Sequence, residues 1–348
     1  MTPSPADGRR AVTIYQVAAL AGVSASTVSR VFNGVKVSPE LVPLVKAAAD
    51  ELDFRPNRAA RALRTQTSDV IGLIVADIEN PFFTALARGV EDEAQASGFS
   101  VMLGNSDEEA TKERAYLDVA LSQHLAGVII SPARSQSDVR LLLEQRQPVV
   151  AVDRSLDDSD VDSVVVDNEG GARAAAELLL ADGYQRIGCI IGPDTTQTAH
   201  DRGAGWLAAL SAAGMKLDPA DYLVHGSAKL DGGKAAFEQL MALEEPPDAI
   251  FVGHNLMAIG VLEALAEMGR TPADFGISVF GDLPFVGLVP HGIHLITLPA
   301  RELGTAAARV LLDRINGDTQ PPRRIVIGAP WHPTVIGDAI GAVTPGSA

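Results

Sequence analysis

Val17-Ala-Ala-Leu-Ala-Gly-Val-Ser-Ala-Ser-Thr-Val-Ser-Arg-Val-Phe-Asn-Gly34 is the stretch on which the reading of this chain turns. Ile14, Val17, Ala18 and Ala21 recur on one face of a helix, and Thr13 suits its N-cap. Gly22 ends that helix and Val23 plugs the turn. Ser24 can cap a second helix over 25–31, whose Val28 and Val31 face inward. Two short helices joined by a tight glycine turn form a helix-turn-helix. In that geometry Ala25, Ser26, Ser29 and Arg30 are left on the outer side. The first residues of a recognition helix meet base edges, and Arg30 reaches a base or a phosphate. The periodicity alone fits an ordinary helical hairpin as well.

Working outward, a third helix is expected over 39–52, with Ser38 as cap and Pro39 at the first helical position. Phe54-Arg-Pro-Asn57 follows, then a short basic helix over 58–64 with Leu63 as its one large apolar side chain. So short a helix is marginal alone. That suits a linker ordering against DNA and a partner, with Leu63 as a minor-groove wedge. The other reading is a connector whose Leu63 packs on the next domain. The first 64 residues hold nine Lys/Arg and five Asp/Glu, a net of +4, whereas the whole chain carries −16. The remaining 284 residues therefore carry −20. A basic head on an acidic body keeps phosphate attraction local.

From Asp69 the pattern changes. Apolar runs of strand length fall at 70–75, 100–103, 127–130, 149–152, 161–166, 187–191, 249–252, 277–280 and 294–298. Amphipathic helices are predicted between them at 82–97, 112–124, 139–145, 170–182, 202–213, 232–243, 257–268 and 300–317. This alternation means α/β architecture with parallel sheets, and its length calls for two sheet domains. Ligands of such sheets bind at the carboxyl ends of the strands. The polar groups there are Asp77, Asn80, Ser106, Asp107, Asp153, Arg154, Asp167, Arg202, His254, Asn255 and Asp282, with Phe82, Phe83 and Phe285 as apolar walls. Asp and Asn at such positions also serve as plain helix caps.

Catalytic and metal chemistry find no support. There is no His-Glu-x-x-His, nucleophile elbow, glycine-rich phosphate loop or cysteine pair. The seven histidines are scattered, and the one cysteine, Cys189, lies in an apolar run where a small hydrophobe belongs. No enzyme activity, cofactor or metal is expected. With no signal-peptide pattern, no long apolar segment and no disulfide framework, the expected compartment is the cytoplasm, without a membrane partner.

The residues quoted above resemble the LacI/GalR family of bacterial transcriptional regulators, over about residues 13–337. Further markers are Val37-Ser38, Asn80-Pro-Phe-Phe83, Val152-Asp-Arg154, Val166-Asp-Asn168, Asp201-Arg-Gly203, Leu256-Met-Ala-Ile-Gly260 and Leu303-Gly304. The resemblance implies an all-α helix-turn-helix head with a hinge helix, followed by a periplasmic-binding-protein-like α/β core of two subdomains. It implies a homodimer on a pseudo-palindromic double-stranded operator, acting as a repressor by family habit, with a small-molecule effector between the subdomains. Recognition-helix positions would be Ala25, Ser26 and Arg30. Ser24, Thr27, Ser29 and Asn33 would place the helix on phosphates or the turn, and Asn57, Ala60 and Leu63 would belong to the hinge. Effector contacts are expected from Asn80, Phe82, Phe83, Asp153, Arg154, Arg202, His254 and Asp282.

The expected boundaries are a head over 12–56, a hinge over 57–68 and a core over 69–340. The core divides into 69–162 plus 292–326, and 163–291 plus 327–340. Four departures from the family pattern stand out. Gln16 replaces the usual Asp, and Leu41-Val-Pro-Leu-Val45 lacks the usual basic residues, which predicts either a weaker phosphate grip or an extra apolar contact covered by Val42 and Leu44. In the core, Phe280-Gly-Asp282 replaces Phe-Asp-Asp and His254 replaces an Asn. Losing an acid and gaining a histidine near Arg202 predicts a neutral-to-basic pocket for a sugar, sugar acid or sugar phosphate. A purine or nucleoside effector is the alternative, and a solute-binding protein without a regulatory role is the rival class.

Overall fold

The computed structural model describes residues 12–32, 36–54, 68–157, 160–215, 218–272, 274–283 and 292–332. The chain divides into two compact units, Met1–Ser68 and Asp69–Ala348.

The described residues of the first unit hold three helices: α1 (Ile14–Ala21), α2 (Ala25–Phe32) and α3 (Leu41–Glu51). Thr13 precedes α1, and its amide donates to Gln16 Oε1 at 2.8 Å. Gln16 thus supplies the returning half of a capping arrangement, which an amide oxygen fills as a carboxylate would. Gly22 closes the helix in the left-handed region at φ 66°, where glycine carries no Cβ penalty. Val17, Ala18, Val28, Val45, Ala48 and Ala49 form the buried centre of this unit, with Val23, Val31, Phe32 and Phe54 packed around it. α3 begins two residues later than expected, because residues 38–41 form a turn closed by Leu41 N–H donating to Ser38 O.

The second unit carries two six-stranded sheets. The first lobe contains β1 (Val70–Val75), β2 (Ser100–Asn105), β3 (Gly127–Ile130), β4 (Val149–Asp153) and β5 (Asp162–Val166). Its helices are α4 (Pro81–Ala96), α5 (Ala110–Ser122) and α6 (Arg140–Glu144). The second lobe contains α7 (Asn168–Ala181), β6 (Ile187–Ile191), α8 (Gln197–Ala212), α9 (Pro219–Tyr222), β7 (Leu223–His225) and α10 (Leu230–Met241). It continues through β8 (Ala249–Val252), α11 (Asn255–Glu267), β9 (Gly276–Phe280) and β10 (Ile293–Ile296). The chain then returns to the first lobe for α12 (Ala300–Ile315) and β11 (Arg324–Ile327), and ends its described part on β12 (Trp331–His332).

The first sheet runs β11-β5-β4-β3-β1-β2 and every pairing is parallel. The second runs β12-β10-β9-β8-β6-β7, parallel except for β12 against β10. These pairings correct the expected subdomain borders. Residues 163–166 hydrogen-bond with β4 and β11 and stay in the first lobe. Residues 293–296 pair with β9 and belong to the second. The physical reason is that β5 completes the sheet before the chain leaves it, and β10 completes the other before the chain returns.

Burial follows the layers. Strands β3, β4, β5, β6, β8 and β9 are buried at every residue, as parallel strands covered on both faces must be. α4 and α12 cross closely in the first lobe. A Cβ on Gly89 would collide with the Arg301 carbonyl oxygen, and one on Gly304 with that of Leu86. Asp162 at the start of β5 accepts from Arg314 Nε at 2.7 Å and Nη2 at 2.9 Å, and from the Arg323 amide at 2.8 Å. One buried carboxylate therefore ties β5, α12 and the approach to β11 together.

Candidate functional site

In the first unit, Ser24 stands before α2 and its Oγ accepts from Thr27 N–H at 3.1 Å. The same oxygen shares hydrogens with Ser26 Oγ at 2.7 Å and Thr27 Oγ1 at 2.9 Å. Three hydroxyls thus crowd the first turn, where free amides and the helix dipole favour an anion such as a DNA phosphate. Ser26 and Arg30 are exposed, and Arg30 Nη2 donates to Lys36 O at 3.1 Å. Thr27 and Ser29 are half-buried. Ala25 is also half-buried and packs against the core of this unit, a correction to its expected outward placement. Asn33, Asn57, Ala60 and Leu63 lie outside the described residues, as does the predicted hinge helix over 58–64. On α3, Leu44 is 52% exposed rather than packed.

The second unit holds a cavity of about 220 Å³ between its lobes. Its walls come from the carboxyl ends of the parallel strands, as the topology requires. β1 delivers Asp77 and Asn80, β2 delivers Asp107 and Glu108, and β4 delivers Asp153 and Arg154. From the facing lobe, β6 delivers Pro193, the segment after β7 delivers Ser227, Ala228 and Lys229, and β8 delivers His254. α8 adds Thr198 and Arg202, and Phe82, Phe83, Phe280 and Leu298 supply apolar surface.

Asn80 caps α4 by accepting from Phe82 N–H at 3.0 Å, with Pro81 at the first helical position. It also reaches the other lobe: Asn80 Nδ2 donates to Asn255 Oδ1 at 3.2 Å, and Asn255 Nδ2 returns a bond to Asn80 Oδ1 at 2.9 Å. Lys229 makes a second bridge, with Nζ at 2.8 Å from Asp77 Oδ2 and 3.3 Å from Glu79 Oε2. Ser155 N–H donates across to Gln197 Oε1 at 3.2 Å. The lobes are therefore closed on each other through three separate polar contacts.

Arg154 is clamped by Glu108. Nη1 lies 2.6 Å from Oε2 and Nη2 lies 2.6 Å from Oε1, and Nη1 also donates to Pro132 O. Burial works against the guanidinium charge, but Glu108, with Asp153 and Glu113 behind it, raises the pKa above the ordinary arginine value. Glu113 is itself buried, accepts from Ala133 N–H at 2.6 Å, and is pushed up by that burial. Asp153 is likewise raised by burial, with Arg154 and Arg202 partly offsetting it. Asp107, Glu108 and Asp153 all sit in the left-handed region, at φ 54°, 59° and 69°. Non-glycine residues held there cost energy that the surroundings must supply.

Arg202 is buried. Its Nε donates to Asn168 Oδ1 at 2.9 Å, its Nη1 to Gly253 O at 2.7 Å, and its plane lies 4.3 Å over the Phe280 ring. Burial lowers its pKa to about 10, so it stays charged at neutral pH. Near it, His254 presents Nδ1 with no hydrogen-bond partner. Burial, then Arg202, Arg154 and Lys229, lower its pKa to about 3. The imidazole is neutral, so it adds no positive charge to a pocket expected from the sequence to be neutral to basic.

Seven of the eight expected effector residues meet at this cavity. Asp282 does not; it is exposed and lines a neighbouring groove with Pro81, Ala85 and Arg301. Gly281 before it has φ 116°, where a side chain is strained, so the segment turns Asp282 outward. Two other sequence candidates are structural: Ser106 donates to Val75 O, and Asp167 caps α7 through Gly170 N–H. Sequence reasoning missed Glu108, Lys229, Thr198 and Ser227. Glu108 follows directly on the strand-end pair Ser106-Asp107. Lys229 follows β7, a three-residue strand too short to stand out.

A helix-turn-helix unit followed in the same chain by a two-lobed core with an interlobe cavity defines a class: DNA-binding regulators that carry their own small-molecule sensor. The comparisons place the chain within that class. The sequence pattern of the family described as bacterial regulatory proteins, lacI family, matches residues 13–57. That described as periplasmic binding proteins and sugar binding domain of LacI family matches residues 68–334. The chain belongs to the LacI family and is a DNA-binding transcriptional regulator.

Among its relatives, the HTH-type transcriptional regulator PtxS of Pseudomonas putida is 34% identical, over 93% of this chain and 96% of that protein. The HTH-type transcriptional regulator CelR of Thermobifida fusca is 35% identical, over 92% and 96%. The structure is similar to that of the lac repressor dimer bound to operator and the anti-inducer ONPF, with TM-score 0.80 and 26% identity over 93% of this chain and 99% of that one. It is also similar to a CelR–cellobiose complex, with TM-score 0.70 and 30% identity over 92% and 98%.

Proposed function

We propose that this regulator works in the cytoplasm as a homodimeric repressor whose grip on a pseudo-palindromic operator is set by a sugar-class effector held between the two lobes. The reading rests chiefly on one observation: a cavity at the strand ends whose polar groups bridge both lobes. A ligand there necessarily competes with, or adds to, the contacts that hold the lobes closed. That gives it a differential affinity for two arrangements, which is what coupling to a distant DNA-binding unit requires.

The chemistry of the walls suits a polyhydroxylated molecule. Asp77, Asn80, Asp153, Arg154, Arg202 and Asn255 offer donors and acceptors around apolar faces from Phe82, Phe83 and Phe280. At about 220 Å³ the cavity lies below the roughly 300 Å³ at which ligand pockets usually begin. That supports a ligand of monosaccharide size. The CelR–cellobiose complex, in which a relative holds a sugar, supports the sugar class by similarity, though that sugar is a disaccharide. In this reading Ser24, Ser26, Thr27, Ser29 and Arg30 face the DNA, Asn33, Asn57, Ala60 and Leu63 complete that surface, and the protein has no catalytic role.

The test is genome-wide footprinting to find the operator, followed by titration of that duplex with and without a panel of sugars and nucleosides. A symmetric site whose affinity changes at least about tenfold with one sugar is the expected result. A chain that binds no duplex at moderate salt, or that responds to a nucleoside alone, overturns the proposal.

A further inference from the structure

We infer that Glu108 sets the charge selectivity of the effector cavity, reserving it for neutral ligands against carboxylated or phosphorylated ones. The inference rests on the proposed effector site and specifies what that site accepts. Arg154 is the cation best placed to take an anionic group, since a guanidinium fork matches carboxylate and phosphate geometry. Both of its terminal nitrogens already hold the two oxygens of Glu108, at 2.6 Å each. An incoming anion meets an occupied fork and a fixed negative charge beside it.

The remaining cations do not compensate. Lys229 is held by Asp77 and Glu79, and Arg202 has Nε and Nη1 committed to Asn168 and Gly253. The lining thus sets Arg154, Arg202 and Lys229 against Asp77, Asp107, Glu108 and Asp153, so it carries no net positive charge even with Asp153 protonated. His254, with a ring nitrogen unpartnered and shut off from solvent, adds no charge.

The backbone that carries Glu108 is also held in place. It and Asp107 both adopt left-handed backbone, and its amide donates to Ala76 O at 3.1 Å. With its backbone fixed and its carboxylate held on the Arg154 fork, Glu108 acts as a built-in anion, substituting for the one an acidic ligand would bring.

The experiment is calorimetry on the full chain and on Glu108→Gln. The probes are inorganic phosphate and matched sets: ribose with ribonate and ribose 5-phosphate, glucose with gluconate and glucose 6-phosphate. In the wild type, a neutral sugar binds at least about tenfold more tightly than its acid or phosphate. In Glu108→Gln that ratio falls by about tenfold or more, and phosphate affinity rises by a similar factor. Arg154→Gln added to Glu108→Gln removes the gain. A wild type that prefers the acid or the phosphate overturns the inference, and so does a ratio unchanged in Glu108→Gln. If no sugar binds the wild type, the effector proposal fails, while the phosphate comparison still decides the role of Glu108. If Glu108→Gln does not fold, the wild-type ratio decides alone.

Discussion

His254 has a buried Nδ1 with no hydrogen-bond partner among the described residues, and burial beside three cations keeps the ring neutral. Its pKa falls from 6.5 in the unfolded chain to about 3 in the fold. Between those values the unfolded state binds more protons, so this residue's contribution to stability falls as pH falls below about 6.5. Wild type should therefore lose more melting temperature than His254→Gln between pH 7 and pH 5. Melting curves that stay parallel over that range refute the assignment. Arg202 permits a sharper mutational test. Replacing it by Gln withdraws the charge from Phe280 and leaves Asn168 Oδ1 and Gly253 O without their buried donor. A loss of about 2–4 kcal/mol in denaturant unfolding is expected. A loss under about 1 kcal/mol would mean that water replaces the guanidinium without strain.

Among the elements, α4 and α12 cross in close contact, with Gly89 and Gly304 each lying against the other helix's backbone. Gly304→Ala would place a methyl on the Leu86 carbonyl, so the helices must move apart. Urea unfolding should register a loss of about 2 kcal/mol, although alanine is the better helix former. In the first unit, Ser24→Ala removes the oxygen that accepts from Thr27 N–H. About 1 kcal/mol of head stability should go with it, read by thermal melting of the isolated head region.

The same comparison shows which elements were legible. β1, β3, β6 and β8 are continuous apolar runs with turn residues at both ends, and their observed bounds equal those read from sequence. The strands missed were β7, β11 and β12. β11 is an edge strand of alternating burial, and β7 and β12 have three and two residues. Such strands acquire their identity from a neighbour, which one sequence does not display. The site divides likewise. Asn80, Asp153 and Arg202 lie in recognisable motifs, whereas Glu108 and Lys229 act through partners 46 and 152 residues away in the chain.

At the scale of the molecule, charge is segregated: +4 on the first 64 residues against −20 on the rest. DNA affinity should therefore depend steeply on salt, but less so than a more basic head would give, since α3 carries Val42 and Leu44 in place of cations. A fall of roughly a hundredfold to a thousandfold is expected between about 50 and 200 mM salt. A flat response would remove phosphate contacts as the main source of grip.

The lobes are also interleaved along the chain, which passes from β5 to α7, back from β10 to α12, and across again from β11 to β12. This has a consequence for synthesis. Leaving the ribosome N-terminus first, the head is complete early, while the first sheet still lacks β11, its last-made strand. No proteolytic nick or gene truncation can release either lobe intact, and a nascent chain holds a formed DNA-binding unit before it holds any sensor. Ribosome-arrested chains ending before residue 324 should accordingly bind a half-site weakly, as single heads, without answering to effector.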